Sequence, residues 1–452
     1  MPRMGSNKVV QGRTTLSFGA IARALLLASL SILAMNARGM PSPLPLANAA
    51  STNSMTTEVS NFRVRVSQQR SRAFTITGTN IAVGDLSPTR GYAAYRIEKL
   101  SKAGETTWVI SDRDSKKWIA NISARSLELN GTNLRIGLKP MPNQIEVESR
   151  GPSSSDVIAT LDIETYLKGV LPAEMPASWP LEALKAQAVA ARTFAIFRRE
   201  QRLKSDDRDF DLESDVMDQM FRSPLSGDQP LLRNVDLAIE ETKGEILEDQ
   251  RQNAFATYFH ADCGGQTEEA KDVWGSGEKL GTAKDAACPL NPRASWTLKM
   301  SSAEMSRRVA KSLGRAADDS KLQIASLRTT DHTSSGRARE MLVAWSNGES
   351  QSINGNEFRR ALGFDELKST HFSLSHVGPD YIFKGQGYGH GVGLCQWGAR
   401  QMAKLGQGYQ EILNHYYPKA RLIGRAGRLD RQVNLDDKER NRTNHKQVAQ
   451  FH

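Results

Sequence analysis

The chain has 452 residues, of which 39% are hydrophobic and 24% charged, and its formal net charge is +10. These values fit a globular protein of one large or two to three smaller domains, and they exclude a fibrous or wholly disordered chain. The basic balance favours polyanionic partners, but there is no zinc-finger spacing or helix-turn-helix pattern, so we expect an envelope component and no nucleic acid.

The N-terminus has the order of a secretory signal. Basic residues precede a short apolar run at residues 24–35, and Ala47-Asn48-Ala49 offers a cleavage site of the A-x-A type. The run is shorter than the roughly 20 residues that span a bilayer. We therefore predict an exported protein of the periplasm or cell envelope, with residues 1–49 either cleaved as a signal peptide or retained as an anchor.

Residues 50–61 read as a linker, and residues 62–160 as a β-rich N-terminal portion. Hydrophobic residues alternate at Phe62, Val64 and Val66, which is the period of a half-buried strand. Asn130-Gly131 is a turn signal between strands. Further strands are predicted at residues 73–77, 107–110 and 133–136.

A mixed portion follows over residues 161–423. Three prolines interrupt the chain between residues 172 and 180, and Pro180 and Glu182 suit the start of a helix. The alanine-rich stretch to about Gln201 has high helix propensity and makes a slim helix that other elements can approach closely. Residues 205–233 are predicted as a polar surface excursion and residues 262–293 as a loop. Strands are predicted at residues 244–247, 254–259 and 381–384, and a hairpin at residues 321–329 and 339–345. Further helices are predicted at residues 234–241, 300–313, 354–362, 392–405 and 409–416.

The predicted fold class is therefore α+β. A β-rich N-terminal portion joins a mixed portion whose alanine-rich helix lies behind a groove. Residues 424–452 are charged, rich in Asn and poor in apolar groups, which is typical of a disordered basic tail.

The first chemical motif is Leu171-Pro-Ala-Glu174-Met-Pro, which places Glu174 on a proline-flanked loop. Prolines restrict the backbone, and the neighbouring Met175 and Trp179 provide apolar surface. A carboxyl group in such surroundings has a raised pKa and can protonate a leaving oxygen near neutral pH. The structural alternative is that Glu174 caps the helix or pairs with Arg192.

The second motif places five glycines at alternate positions from Gly385 to Gly393. Such a backbone tolerates positive φ and lets a ligand approach closely. His390 lies inside the cluster and Gln396 just beyond it, and a Gln amide is well suited to sugar hydroxyls and acetamides. The alternative is a tight turn in which His390 is a buried structural residue.

The third motif joins His260 to Cys263, and Cys288 and Cys395 lie further along the chain. Two residues separate His260 from Cys263, which permits joint binding of a metal, and the other two cysteines would complete a tetrahedral His-Cys₃ set. A disulfide between Cys263 and Cys288, favoured by export, and simple buried thiols remain open alternatives.

These motifs closely resemble those of the SpoIID/LytB domain family, named for a stage II sporulation protein and an amidase enhancer. The matching blocks are the residues around Glu174, the helix carrying Gln187 and Arg192, the segment Tyr258-Phe-His260 with Cys263-Gly-Gly-Gln-Thr, and residues 387–399. The resemblance covers roughly residues 130–420.

The resemblance implies an exported lytic transglycosylase that cleaves denuded peptidoglycan glycan strands, with Glu174 as the single acid/base. It implies a glycan groove lined by Gln187, Arg192, Tyr258, His260, His390 and Gln396. It also implies a zinc ion in some members near the segment matching His260. No cofactor is required for the chemistry itself, so zinc would be structural.

Two other functions are kept as alternatives. Amidase-enhancer members stimulate a separate enzyme, so the chain could be a non-catalytic wall-binding module whose partner is an N-acetylmuramoyl-L-alanine amidase. A metal-dependent hydrolase built on His260 and the cysteines ranks last, because thiolate-rich metal sites are usually closed and structural.

Overall fold

The computed structural model describes residues 61–424, with gaps at 103, 206–208, 216–217, 224–231, 278–280, 287, 289–290, 293 and 316–321. The predicted export region, nearly all of the linker and the basic tail lie outside the described residues. Both helices and strands are present, and the strands dominate the N-terminal part. The α+β prediction is confirmed.

The N-terminal part forms a sheet whose strand order is β10-β1-β9-β8-β6-β2-β3-β4-β5, with β7 paired to β6. Neighbouring strands are antiparallel, except that β10 lies parallel to β1. The strands are β1 (Phe62–Gln69), β2 (Ala73–Val83), β3 (Tyr92–Lys102), β4 (Glu105–Asp112), β5 (Trp118–Ser123), β6 (Ser126–Ile136), β7 (Lys139–Pro140), β8 (Gln144–Ser149), β9 (Ser155–Leu161) and β10 (Leu212–Glu213).

The alternation at Phe62, Val64 and Val66 is confirmed, because these three side chains are buried in β1 and their neighbours are more exposed. The turn predicted at Asn130-Gly131 is wrong. Both residues lie inside β6, where the pairing with β2 shifts register between Thr79 and Ala82. The Asn-Gly pair therefore accompanies an irregularity within a strand and does not end one.

Two helices follow the sheet. In α1 (Ile163–Glu174), the Asp162 carboxylate caps the N-terminus by accepting hydrogen bonds from the backbone N–H groups of Glu164 and Thr165. The helix continues to Glu174 with Pro172 inside it. The expectation that Glu174 lies on a loop is corrected: it is the last helical residue, and the loop begins at Met175.

The alanine-rich helix is α2 (Leu181–Leu203), which confirms the prediction. Its alanines from Ala183 to Ala195 are fully buried, so α2 lies inside the molecule. Small side chains let α1, α3 (Arg233–Glu241), α7 (Gln396–Lys404) and α8 (Tyr409–Tyr416) pack against it. Helix α2 thereby holds α1, which ends at Glu174, and α7, which begins at Gln396, in one core.

The remaining elements include a three-stranded sheet β13-β18-β17, a second one β14-β15-β16, and the short pairs β11-β20 and β12-β19. They are β11 (Ile246–Glu248), β12 (Phe259–His260), α4 (Ala270–Trp274), β13 (Ser295–Ser301), α5 (Ser302–Ser312), β14 (Ile324–His332), β15 (Ala338–Trp345), β16 (Ser350–Asn354), α6 (Gly355–Leu362), β17 (Phe372–Val377), β18 (Asp380–Gln386), β19 (Leu394–Cys395) and β20 (Arg421–Ile423).

The predicted hairpin is confirmed as β14 and β15, and the helix at residues 409–416 is α8. Residues 254–259, predicted as a strand, are loop apart from an isolated β-bridge at Ala254 and the first residue of β12, Phe259. The loop predicted at 262–293 contains α4. A second hydrophobic core, built from residues between Trp296 and Phe383, lies beside the larger core that contains α2. Among the described helices, none combines the length and apolarity needed to cross a membrane.

Candidate active site and thiol cluster

A cleft of about 530 Å³ brings together distant parts of the chain. Its lining comes from the end of α1, from α2, from residues 218–220, from β12 and the residue after it, from the end of α4, from α6 with the turn after it, and from residues 388–390. The predicted site residues Glu174, Tyr258, His260 and His390 all line it. The glutamate motif and the glycine cluster therefore form one site.

Glu174 lies partly buried at the cleft, held by two hydrogen bonds. Its Oε1 accepts the backbone N–H of Met220 at 2.8 Å, and the Gln396 side chain donates a second bond. Burial raises the pKa of the Glu174 carboxyl, and these two bonds partly oppose that rise because they favour the charged form. The C-terminal end of α1 carries partial negative charge, which also favours the neutral acid.

Among the described residues, four carboxyl groups line the cleft, and Glu174 differs from the other three. No arginine, lysine or histidine of the described residues lies within ion-pair distance of it, so the alternative pairing with Arg192 does not occur. Each of the others has a partner: Asp218 pairs with Arg198 at 2.6 Å, Glu357 pairs with Arg360, and Asp365 accepts a hydrogen bond from the Tyr388 hydroxyl at 2.7 Å.

The backbone of Val392 fixes both histidines of the cleft. Its carbonyl accepts from His260 Nδ1 at 3.0 Å, and its N–H donates to His390 Nδ1 at 3.1 Å. The His390 ring has a second hydrogen bond, which it donates to the Phe259 carbonyl. His260 Nε2 keeps a lone pair with no donor among the described residues.

Burial, together with the nearby Arg337 cation, lowers the pKa of His260 to about 3. The ring is therefore neutral near physiological pH. Because Nδ1 carries the proton shared with Val392, Nε2 can only accept a hydrogen bond.

Aromatic rings form one wall of the cleft. The Tyr258 ring centroid lies 4.5 Å from that of Trp274, and Trp274 lies 5.2 Å from His390. Trp274 remains 37% exposed, so its ring is open to a ligand. Trp397, which follows Gln396, does not line the cleft and packs edge-on against Trp179 with 5.5 Å between ring centroids.

Neither Gln187 nor Arg192 lines the cleft, which corrects the expectation for both. Both lie on the buried side of α2, and Arg192 is only 1% exposed. Its guanidinium pairs with Glu164 at 2.7 Å and donates to the Glu245 carbonyl at 3.0 Å. Arg192 therefore ties α2 to α1 and to the segment before β11.

The glycine cluster has the backbone that the sequence predicted. Gly387, Gly389, Gly391 and Gly393 all have positive φ. At Gly393 a Cβ would lie 2.0 Å from the Tyr258 carbonyl oxygen, so only glycine allows β19 to approach β12. That approach pairs His260 with Cys395 in parallel register.

The three cysteines meet in the interior with Asp285. The Sγ atoms of Cys263, Cys288 and Cys395 and a carboxylate oxygen of Asp285 all lie within 4.8 Å of one another, and all four residues are buried. Cys288 Sγ lies 3.6 Å from Cys395 Sγ. The three thiols are free, so the disulfide alternative is not realised here.

Backbone N–H groups point at the sulfur atoms. Gly265 donates to Cys263 Sγ at 3.3 Å, and Gly398 donates to Cys395 Sγ at 3.4 Å. The Tyr416 hydroxyl donates to Asp285 Oδ2 at 2.7 Å. A Cβ at Gly398 would lie 1.9 Å from that same oxygen, so the glycine is required where α7 meets the cluster.

This donor set fits zinc. Tetrahedral zinc with Zn–S bonds of about 2.3 Å separates its ligand sulfurs by about 3.8 Å, close to the observed Cys288–Cys395 distance. The group that lies with the three thiols is the Asp285 carboxylate, and the expected fourth ligand, His260, is not part of this cluster. His260 Nδ1 hydrogen-bonds the Val392 carbonyl and the residue is not among the clustered ligand atoms, while the Asp285 carboxylate lies among the thiols.

Sequence reasoning missed several residues of the site. Asp218 and Met220 come from the stretch expected to be a surface excursion, and Trp274 from the stretch expected to be loop. Asp285 and Arg359 carry no motif of their own. An acidic residue three positions before Cys288 was the one available signal for Asp285.

Two family models match parts of the chain. Residues 152–248 match the family described as stage II sporulation protein, SpoIID, and residues 279–393 match a domain of unknown function, DUF8618. A stage II sporulation protein D of Bacillus amyloliquefaciens is 30% identical over 276 residues, which are 59% of this chain and 75% of that protein. The chain belongs to the SpoIID family.

Two further relatives share a similar length of sequence. An uncharacterised protein of Brachyspira hyodysenteriae is 37% identical over 263 residues, 58% of this chain and 66% of that protein. An amidase enhancer of Bacillus subtilis is 30% identical over 294 residues, 56% of this chain. The alignment covers only 39% of that enhancer.

Proposed function

We propose that this SpoIID-family protein is an exported lytic transglycosylase that cleaves peptidoglycan glycan strands, with Glu174 as the acid/base residue. The single observation that carries the proposal is the state of Glu174. It is the one carboxyl group of the cleft, among the described residues, that has no cation or hydroxyl partner, and burial raises its pKa.

A raised pKa gives Glu174 a proton to donate near neutral pH. In the first half of the reaction, the carboxyl protonates the glycosidic oxygen as its bond to C1 of the muramyl residue breaks. The leaving strand departs with a free hydroxyl, and positive charge develops on the muramyl ring. Glu174 is then a carboxylate, and the bonds from Met220 and Gln396 stabilise that charge.

In the second half, the muramyl 6-hydroxyl attacks C1 and gives its proton to the Glu174 carboxylate. A 1,6-anhydro end forms, no water is consumed, and Glu174 regains its starting state. The nucleophile belongs to the substrate, so a second free carboxylate is not needed, in contrast to hydrolysing glycosidases. The pairing of Asp218 with Arg198 is consistent with this requirement.

The rest of the cleft suits a sugar chain. Trp274 and Tyr258 offer ring faces on which the apolar side of a sugar can stack. His260 also lines the cleft. The Gly389–His390 backbone allows a strand to lie close to the protein.

We further propose that Cys263, Cys288, Cys395 and Asp285 hold a structural zinc ion. A closed set of four protein ligands leaves no position for substrate, so the ion would contribute folding energy and no chemical step. Its contribution would be to fix the positions of β12, the turn that carries Cys263, and the start of α7 at Gln396. Glu174 and the cleft residues perform the proton transfers.

The similarity to an amidase enhancer supports a second candidate. In that case the chain binds glycan and stimulates a separate N-acetylmuramoyl-L-alanine amidase without cleaving glycan itself. The two candidates differ in their products. Denuded glycan strands are incubated with the purified chain, with and without an amidase, and analysed by mass spectrometry.

The transglycosylase produces 1,6-anhydro ends in the absence of any amidase. The enhancer produces no such ends and instead raises the rate at which the amidase releases stem peptides from intact peptidoglycan. A protein that did neither would contradict both candidates.

A further inference from the structure

Part of the cleft lining comes from α6 and the turn after it, residues 356–365. These residues lie inside the segment that matches a domain of unknown function, residues 279–393. Arg359 is the buried member of this lining, at 5% exposure. The segment therefore brings a cation to the site that contains Glu174.

Arg359 has no carboxylate within ion-pair distance among the described residues. Its Nε donates to the Leu367 carbonyl at 2.8 Å, its Nη2 donates to the Phe364 carbonyl at 3.2 Å, and its guanidinium lies 4.6 Å from the centre of the Phe364 ring. These contacts fix the side chain but neutralise none of its charge. Nη1 makes no hydrogen bond within the described part of the chain.

The surroundings of Arg359 do not remove this charge. Asp365 attracts it, but the Asp365 carboxylate accepts the Tyr388 hydroxyl and lies beyond ion-pair distance from Arg359. The buried Arg337 adds further positive potential. A buried cation without a counter-ion is costly, and an anionic ligand in the cleft would offset that cost.

We propose that Arg359 is an anion-binding residue of the cleft, through which the segment 279–393 binds the lactyl carboxylate of a muramyl residue. The inference rests on the proposed function for its choice of ligand. Guanidinium groups bind carboxylates through strong, charge-assisted hydrogen bonds. Each muramyl residue of a denuded strand carries one such carboxylate, while an intact stem peptide converts it into an uncharged amide.

The part of the cleft at Arg359 therefore distinguishes a strand whose stem peptide has been removed from one that retains it. A free carboxylate pairs with Arg359, and an amide leaves the cation without its counter-ion. This discrimination follows from charge and requires no steric exclusion of the peptide. A purely structural Arg359, which only caps the turn after α6, would weaken binding of both ligands alike when replaced.

The test measures binding by calorimetry, using the full chain with Glu174→Gln so that no ligand is cleaved. The two ligands are the same oligosaccharide of alternating N-acetylglucosamine and N-acetylmuramic acid, with either free lactyl carboxylates or their methylamides. We expect the free acid to bind roughly tenfold more tightly than the methylamide, the factor typical of one hydrogen bond to a charged group.

Adding Arg359→Gln should abolish this difference, and Arg359→Lys should retain part of it. Arg307→Gln is the matched control, because Arg307 lies in the same segment, is exposed and pairs with Glu304. Equal binding of the two ligands by the parent would overturn the proposal whether or not the Arg359 variants fold. Survival of the difference in Arg359→Gln would also overturn it. A failure of the transglycosylase proposal would appear separately, as absence of anhydro ends.

Discussion

Cys395 and Gln396 are neighbours in the chain and serve two different sites. The Cys395 thiol lies in the buried cluster, and the Gln396 amide donates a hydrogen bond to the Glu174 carboxyl. Cys395 also caps α7, whose first residue is Gln396, through the bond from the Gly398 N–H. The geometry of the thiol cluster therefore determines where the donor to Glu174 lies.

Zinc content tests the ligand assignment. We expect one zinc ion per chain by elemental analysis of the purified protein, and its loss with Cys395→Ser or Asp285→Asn. Removing the ion by chelation should lower the melting temperature by roughly 5 °C or more, because structural zinc contributes to folding free energy. His260→Ala is the informative control. It should keep the metal, and loss of zinc in that variant would restore His260 as a ligand.

Replacing Gln396 tests its bond to Glu174. The bond favours the carboxylate, so Gln396→Met should raise the pKa of Glu174 further. The alkaline limb of the activity profile would then move to higher pH, while the maximal rate falls because the carboxyl is held less firmly. A fall in rate with an unmoved limb would show that Gln396 acts only through packing. The measurement is the pH dependence of kcat/KM on denuded glycan, compared between the wild type and Gln396→Met.

The pH dependence of the wild type follows from the state of Glu174. Its raised pKa keeps the acid protonated into the range where an exposed glutamate is ionised, and activity should fall as pH rises through that pKa. The folded state binds this proton more tightly than the unfolded state, so the associated stability is present at low pH and is lost as pH rises through the folded pKa. Above that pKa, Glu174→Gln should be at least as stable as the wild type by thermal unfolding.

Arg192 is predicted to act through stability. Arg192→Ala leaves the mostly buried Glu164 carboxylate without its cation, and breaking a buried ion pair in this way costs about 3–5 kcal/mol. We expect a large drop in the denaturant midpoint and near-normal kcat/KM at temperatures where the variant remains folded. Arg198→Ala is a useful comparison, because Arg198 pairs with Asp218 at the cleft. A normal midpoint with lost activity in Arg192→Ala would favour the original groove assignment.

Local patterns predicted much of this fold. The strand alternation at Phe62, the alanine-rich α2 and the hairpin of β14 and β15 are each specified by neighbouring residues. Asn130-Gly131 was misleading because the same dipeptide serves a turn or an irregular strand, and the neighbouring β2 decides between them. β12 has only two residues and exists because β19 pairs with it, so no local signal marks it.

Some residues of the candidate site could likewise be predicted from local patterns, and others could not. Glu174, His260, His390 and Gln396 lie in glycine-rich or proline-rich motifs, so their residue types pointed to chemistry before any contact was known. Gln187 and Arg192 belong to the alanine-rich helix α2 and are buried in it, which only the packing reveals. Asp285 and Arg359 gain their importance entirely from what the fold places beside them.

The most direct test of the central claim compares the wild type with Glu174→Gln on denuded glycan strands, with 1,6-anhydro ends counted by mass spectrometry. We predict anhydro ends from the wild type and none from the variant. Thermal unfolding should show that both proteins are folded. Full production of anhydro ends by Glu174→Gln would contradict the account.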